Sequence, residues 1–407
     1  MKKIIVATPA LNSGGVEVSL VRFLKELSKN KEYEITLLLL KKEGIYVDEI
    51  PSNINIITIS YANEIYNYNY KFSDIKSIKN IINKIKFFVY RLKLRNFVKK
   101  DRWDNYYKLV LSKTNNIEGY YDLAIDYHGY GHFITSVVAE KINARKKAMW
   151  IHDEKVSWLK NVNTWLDSFD KIFCVSKSCK NKLIDNKKIS NKLEVFYNMT
   201  DYGNIIKMSN EECIYEVNEK RKTFVTIGRL VTQKGYDLLL DIASNLKKKN
   251  IDFEWFIIGD GPLRDYIESE ISKRNLTDYI KLLGIVKNPY PLLKKACLYI
   301  QPSRHEGYGL AIEEARMLGK VVVATNLECI KEQIKNGYNG VLCPYEVNFF
   351  TNKIIELLNN SDTYKKIVNN LSKDTFDRTS EFKKIEKLLE EKIWLQYLHQ
   401  VIIEKKN

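Results

Sequence analysis

One phrase of structure is written into this chain twice: an apolar run, a glycine turn, an amphipathic stretch at helical spacing, and a second apolar run. It first appears as residues 3–8, then Asn12-Ser13-Gly14-Gly15, then 16–29, then 33–40. Strand, glycine turn, helix, strand is the unit of a parallel sheet with covered faces. Further strand candidates follow at 54–59, 123–126, 147–151, 172–175 and 194–197. Around 201–221 the periodicity lapses into a polar stretch that reads as a linker. The alternation then restarts, with strands at 224–227, 253–258, 280–283, 298–300 and 321–324. Helices at 235–249, at 263–273 and from Leu310 lie between them. The expectation is α/β: two Rossmann-like, doubly wound domains in series. Their predicted extents are 1–205 and 223–375, with a linker at 206–222. A charged helical segment at 376–407 is expected to pack back on the first domain.

A chain of 407 residues exceeds one ordinary core, which agrees with two domains. Hydrophobic residues at 45% and charged residues at 29% exclude a disordered chain. Six cysteines without a CxxC or CxxH pair point to a reducing compartment rather than a disulfide framework. The apolar run after Met1-Lys2-Lys3 is too short for a secretory signal, and no stretch reaches membrane-spanning length. A cytoplasmic location is therefore expected.

The net charge of +16 calls for an account. Abundant Lys, Ile and Asn supply a compositional one; the partner readings are nucleic acid, anionic lipid and a phosphate-bearing substrate. The densest basic stretch is 76–100, with nine Lys or Arg and no acid. Ile78, Ile81, Ile82, Ile85, Val89 and Leu92 recur there at helical spacing. Two readings stand side by side. One is a basic amphipathic helix lying on an anionic membrane, which would make the protein peripheral on the inner face of the plasma membrane. The other is a domain helix with solvated lysines. No nucleic-acid motif accompanies the charge, so no nucleic-acid partner is expected.

The polar constellations sit at strand ends. Strand 224–227 runs into Gly228-Arg229-Leu230, and Lys234-Gly235 opens the next helix. Arg presents a fork of donors and Lys a point charge, both suited to phosphate oxygens. Further on comes Ser303-Arg304-His305-Glu306-Gly307-Tyr308-Gly309-Leu310, running to Glu313-Glu314-Ala315. Its glycines permit a tight turn beside a helix start, where free amides and the helix dipole favour an anion. Glu306 and Glu314 can accept from sugar hydroxyls, whereas Glu313 by itself reads as a simple dipole partner.

Gly228-Arg229 with Lys234, Gly259-Asp260-Gly261-Pro262, Gly284-Ile285, and Glu306 followed after seven residues by Glu314 together resemble the family-4 retaining glycosyltransferases. These have the GT-B architecture, two Rossmann-like domains facing across a cleft, and many build bacterial surface polysaccharide and lipopolysaccharide. The resemblance implies that Arg229 and Lys234 bind a donor diphosphate and that Glu306 contacts the donor sugar. It places the amides of Gly307, Tyr308, Gly309 and Leu310 near sugar and phosphate, Glu314 on the ribose, and Gly284 and Ile285 at the base. Tyr308 stands where Phe is frequent, a change expected to be harmless. Gly14 and Gly15 match the family's glycine loop. His152, in Trp150-Ile151-His152-Asp153-Glu154, resembles its active-site histidine; His128 ranks behind it. Ser176 and Asn198 sit at further strand ends and read as a helix cap and a turn.

There is no DxD triplet and no cluster with metal-ligand spacing, so no metal and no cofactor are expected. Fixed cations and a helix N-terminus would neutralise the leaving group instead. The resemblance thus implies transfer of a hexose-type sugar, with retention, from a nucleotide-sugar, UDP being the usual carrier. The acceptor would be a hydroxyl of a glycan or lipid-linked saccharide. Two alternatives remain at this point: a GT-B nucleotide-sugar epimerase, and a non-catalytic membrane-bound partner of another transferase.

Overall fold

The structure, a computed structural model, describes residues 1–59, 92, 93, 96 and 103–390. The basic stretch at 76–100 therefore lies outside the described residues, apart from Leu92, Lys93 and Asn96. The chain divides into two compact units. The first comprises Met1–Val175, Lys180–Tyr197 and Ser380–Asn407; the second comprises Ser176–Cys179 and Asn198–Thr379.

In the first unit, seven parallel strands lie in the order β3-β2-β1-β4-β5-β6-β7. They are β1 (Lys2–Thr8), β2 (Tyr33–Leu39), β3 (Asn55–Thr58), β4 (Ile117–Asp126), β5 (Ile142–Ile151), β6 (Lys171–Cys174) and β7 (Leu193–Val195). Strand β1 is central, pairing Ile4 with Ile35 on one side and with Leu123 on the other. Covered on both faces, such strands must be apolar throughout, and Ile4, Ile5, Val6 and Ala7 are fully buried. Helix Gly15–Leu27 follows β1 and sends Phe23 into a ring cluster with Tyr127, Trp150 and Phe196. The C-terminal helix Phe382–Glu390 belongs to this unit. Phe382 stacks on Phe23 at 5.3 Å, and Ile385, Leu388 and Leu389 are buried. Lys384 Nζ donates to the Val195 carbonyl at 2.6 Å, which ties the helix to the end of β7.

The second unit holds six parallel strands in the order β10-β9-β8-β11-β12-β13. These are β8 (Lys222–Ile227), β9 (Phe253–Ile258), β10 (Ile280–Gly284), β11 (Leu298–Gln301), β12 (Val321–Thr325) and β13 (Val341–Cys343). Phe224, Phe253 and Trp255 fill one face of this sheet, together with Leu239, Leu240 and Ile242 of helix Tyr236–Lys248. Two of the polar groups buried there are paired with each other and with the backbone, as burial favours. Trp255 Nε1 donates to Thr226 Oγ1 at 3.0 Å, and that hydroxyl donates to the Ile300 carbonyl at 2.6 Å.

Two parts of this unit depart from the sequence reading. The stretch at 206–222 is not a free linker. It belongs to the second unit and begins within helix Tyr202–Ser209, whose Ile205 is 1% exposed against the face of the sheet formed by Val225 and Tyr299. Eight residues with Ile205 as the one buried apolar side chain leave almost no periodic trace. Strand β13 escaped notice for a related reason: three residues between Gly340 and Pro344 are too few to show a period. Among the described residues, no helix is long and apolar enough to cross a membrane.

Candidate active site

In a parallel sheet, loops at the carboxyl edge form a crevice where the strand order reverses. In the second unit that reversal falls between β8 and β11. The two loops leaving those strands are 228–235 and 302–309, the segments singled out by the sequence.

They meet through an ion pair. Lys234 Nζ lies 2.6 Å from Glu306 Oε1, with the two side chains 19% and 6% exposed. Ser303 Oγ also donates to Glu306 Oε1, at 2.7 Å, and Gln301 Nε2 donates to it at 3.2 Å. Three donors thus converge on one carboxylate oxygen, and none of these bonds goes to Oε2. An ionised carboxylate has lone pairs on both oxygens, so Oε2 can still accept from a ligand hydroxyl. Gln301 is itself fixed, because its Oε1 accepts from the Tyr299 hydroxyl. Burial holds the Tyr299 phenol well above its ordinary range; the carboxylates of Glu306 and Glu314 reinforce this. Both glutamates therefore sit near one buried ring.

Two glycines make this meeting possible. Gly235 adopts φ +69, and a Cβ there would come within 1.9 Å of the Pro302 carbonyl oxygen. Only a residue without a side chain lets the 235 turn pass so close to the β11 loop. Gly309 adopts φ +87 and turns the chain into helix Leu310–Met317. Glu314 lies within that helix, 7% exposed. At the neighbouring strand ends, the Gly259 amide donates to the Gly284 carbonyl at 2.7 Å, while Ile285 is 53% exposed. Arg229 leaves the end of β8 exposed, and its side chain makes no ion pair among the described residues. The sequence reading passed over Gln301 and gave Ser303 no role. Nothing in a sequence marks which polar residues at a strand end turn toward a carboxylate.

The first unit carries the remaining candidates at the carboxyl edge of its own sheet. Gly14 precedes helix Gly15–Leu27, which follows β1, and the Val18 amide donates to the Gly14 carbonyl at 3.1 Å. His152 directly follows β5, 8% exposed, with Nε2 at 2.6 Å from the Tyr127 carbonyl. A carbonyl only accepts, so Nε2 carries the proton and Nδ1 of the neutral ring keeps its lone pair. His128 Nε2 and His132 Nδ1 lie 3.0 Å apart in the loop after β4. That loop is gathered by Asp126, fully buried, which accepts from Thr135 Oγ1 at 2.6 Å and from the Gly129 amide at 3.2 Å. Ser176, which belongs to the second unit, accepts at its Oγ from the Cys179 amide at 3.0 Å, a capping bond.

These buried groups make the first unit sensitive to acid. Burial lowers His152 from 6.5 to about 4 and His128 to about 3, and lowers His132. Burial raises Asp126 from 3.8 to about 6. The histidines bind fewer protons folded than unfolded, so their contribution is full above 6.5 and is lost as pH falls through the folded values. Asp126 opposes them, contributing more as pH falls from about 6. Three histidines outweigh one carboxyl, and His152 by itself contributes on the order of 3 kcal/mol across its shift. The urea midpoint is therefore expected to fall between about pH 7 and about pH 5, and less steeply in His152→Gln. Identical slopes for the two proteins would contradict this.

Residues 207–374 match the family described as Glycosyl transferases group 1. That segment contains the Lys234–Glu306 pair and both reversing loops. An uncharacterized glycosyltransferase of Methanocaldococcus jannaschii is 37% identical over 205 residues, which is 49% of this chain and 53% of the relative. The chain thus spans about half the length of that curated relative. In fold, 96% of the chain matches all of a mutant of Staphylococcus aureus TarM, with a TM-score of 0.69 at 17% identity. That crystal structure holds fondaparinux, alpha-GlcNAc-glycerol and UDP. Anabaena HepE in complex with UDP and glucose matches over 96% of this chain and all of its own, with a TM-score of 0.66 at 17% identity. The two parallel-sheet units are thus those of the GT-B fold. The matched segment takes in the whole of the second sheet, so the motifs singled out by the sequence and the matched family coincide on the same strands.

Proposed function

We propose that this chain is a retaining glycosyltransferase that moves a hexose-type sugar from a nucleotide-sugar to a saccharide hydroxyl. The observation that carries this reading is the Lys234–Glu306 pair at the strand-order reversal. It places a cation for a pyrophosphate beside a buried carboxylate that keeps one oxygen for a sugar hydroxyl. Arg229, exposed at the end of β8 and without an ion pair among the described residues, is the second cation. Departure of a nucleoside diphosphate builds negative charge, and fixed donors stabilise it most where water is excluded. Gly307 to Leu310, at the start of a helix, offer amides to the same charge. In this reading Glu314 holds the ribose, the Gly284-Ile285 backbone meets the base, and no metal or cofactor takes part. UDP is the proposed carrier, supported by the UDP held in both fold relatives.

The first unit is proposed to bind the acceptor, with Gly14 and Gly15 in its glycine loop and His152 as the catalytic histidine. A glycan or lipid-linked saccharide is the acceptor class we favour, in surface polysaccharide synthesis on the inner face of the membrane. This part rests on the basic stretch at 76–100 and on the saccharide ligands of the TarM complex.

The test is a panel of nucleotide-sugars screened by thermal stabilisation, then by release of the free nucleotide with membrane extract as acceptor. A true donor at 100 times its Kd adds about 2.7 kcal/mol to stability. If no nucleotide-sugar raises Tm and none is consumed, the proposal is wrong.

A further inference from the structure

Tyr308, which the sequence reading took as an inert replacement for Phe, has work for its hydroxyl. It donates to Glu313 Oε1 at 2.8 Å and accepts from an Arg378 guanidinium nitrogen at 3.0 Å. The same guanidinium lies 3.4 Å from Glu313 Oε1. Glu313 is 1% exposed and Tyr308 3%, so the simple dipole partner read from the sequence is also a buried carboxylate. A carboxylate this deep requires a cation, and Arg378 supplies it from 65 residues away in sequence.

Arg378 ends a segment that is pinned at its other end as well. Asp374 accepts from Arg316 and, at 3.0 Å, from Asn339; the Arg316 guanidinium lies 5.3 Å over the Phe376 ring. Glu313 and Arg316 are neighbours on one face of helix Leu310–Met317, so the segment at 374–378 is bound to that helix twice. Through Tyr308 the first of these ties reaches the loop itself. The Tyr308 carbonyl is held on the other side by the Gln333 amide.

We propose that Arg378, acting through Tyr308 and Glu313, is a positioning residue for the donor-sugar loop at Glu306–Gly309. It touches no substrate. It fixes the backbone whose amides and whose Glu306 carboxylate meet the donor, so loss of the tie weakens donor binding first. The proposal rests on the donor reading above.

The experiment compares Arg378→Met, Glu313→Gln and the double variant for donor KM, kcat and Tm. Arg378→Met leaves Glu313 as a buried carboxylate without its cation. Donor KM should rise roughly tenfold, the scale of coupling within one side-chain network, with a smaller change in kcat. The double variant removes both charges and should restore most of the donor KM and of the Tm. An Arg378→Met enzyme with reduced Tm and unchanged donor KM would assign the triad to stability only and overturn the proposal. So would a double variant no better than the single. Should Arg378→Met fail to fold, Arg378→Lys decides: it keeps the charge but loses the fork, and an unchanged donor KM there would reject the idea. Wild-type protein that binds no nucleotide-sugar would sink the donor reading itself, a result distinct from wild-type turnover with insensitive variants.

Discussion

Arg229→Ala is expected to lower kcat/KM by about 1,000-fold, the upper range for removing one preorganised group that stabilises developing charge. Its stability should stay within ~0.5 kcal/mol of wild type, because the side chain is exposed and makes no ion pair among the described residues. Lys234→Ala should lose a similar factor in turnover but behave differently in the fold. Lys234 neutralises Glu306, which is 6% exposed, and its removal leaves that carboxylate with only the neutral donors Ser303 and Gln301. Breaking a buried pair by deleting one partner costs about 3–5 kcal/mol, so Tm should fall in Lys234→Ala. Adding Glu306→Gln should recover the stability and not the activity. Steady-state kinetics beside thermal melts read both quantities. Near-normal turnover in both single variants would remove the donor-site assignment.

Gly235→Ala is expected to damage stability and donor binding together. An alanine in the left-handed region carries about 1–2 kcal/mol of strain before any contact is counted. Here the new Cβ would also lie 1.9 Å from the Pro302 carbonyl oxygen, so the turn must move. The residue displaced with it is Lys234, its chain neighbour, and with it the ion pair to Glu306. A loss of at least ~2 kcal/mol, seen as a lower urea midpoint, should come with a raised donor KM. An alanine variant with wild-type midpoint and wild-type donor KM would show that the turn adapts without moving Lys234, against the geometry described here. Gly319→Ala is a useful comparison. It has a similar φ of +67 but nothing within contact range of a Cβ, so it isolates the backbone strain.

The architecture was open to reading because each of its signals is local. Apolar runs such as 253–258 match observed strands residue for residue, since strands covered on both faces must be apolar regardless of their neighbours. Glycine at 228, 235 and 309 marks turns for an equally local reason. The short β13 and the helix Tyr202–Ser209 were missed because each buries too little to leave a periodic pattern. The loops at 228–235 and 302–309 were recognisable as motifs, and the structure brings Lys234 of the first to Glu306 of the second.

What the sequence determined by itself was the alternation of strands and helices, the two sheets, and the residue types held at their carboxyl edges. Only the tertiary structure decided which polar groups meet. It joined Lys234 to Glu306 across 72 positions, turned Gln301 and Ser303 toward the same oxygen, and brought Arg378 to Tyr308 and Glu313. The physical reason is one of range. Backbone propensity and apolar period act over a few residues, whereas a buried charge finds its counter-charge wherever the fold delivers one, and no local pattern records that address.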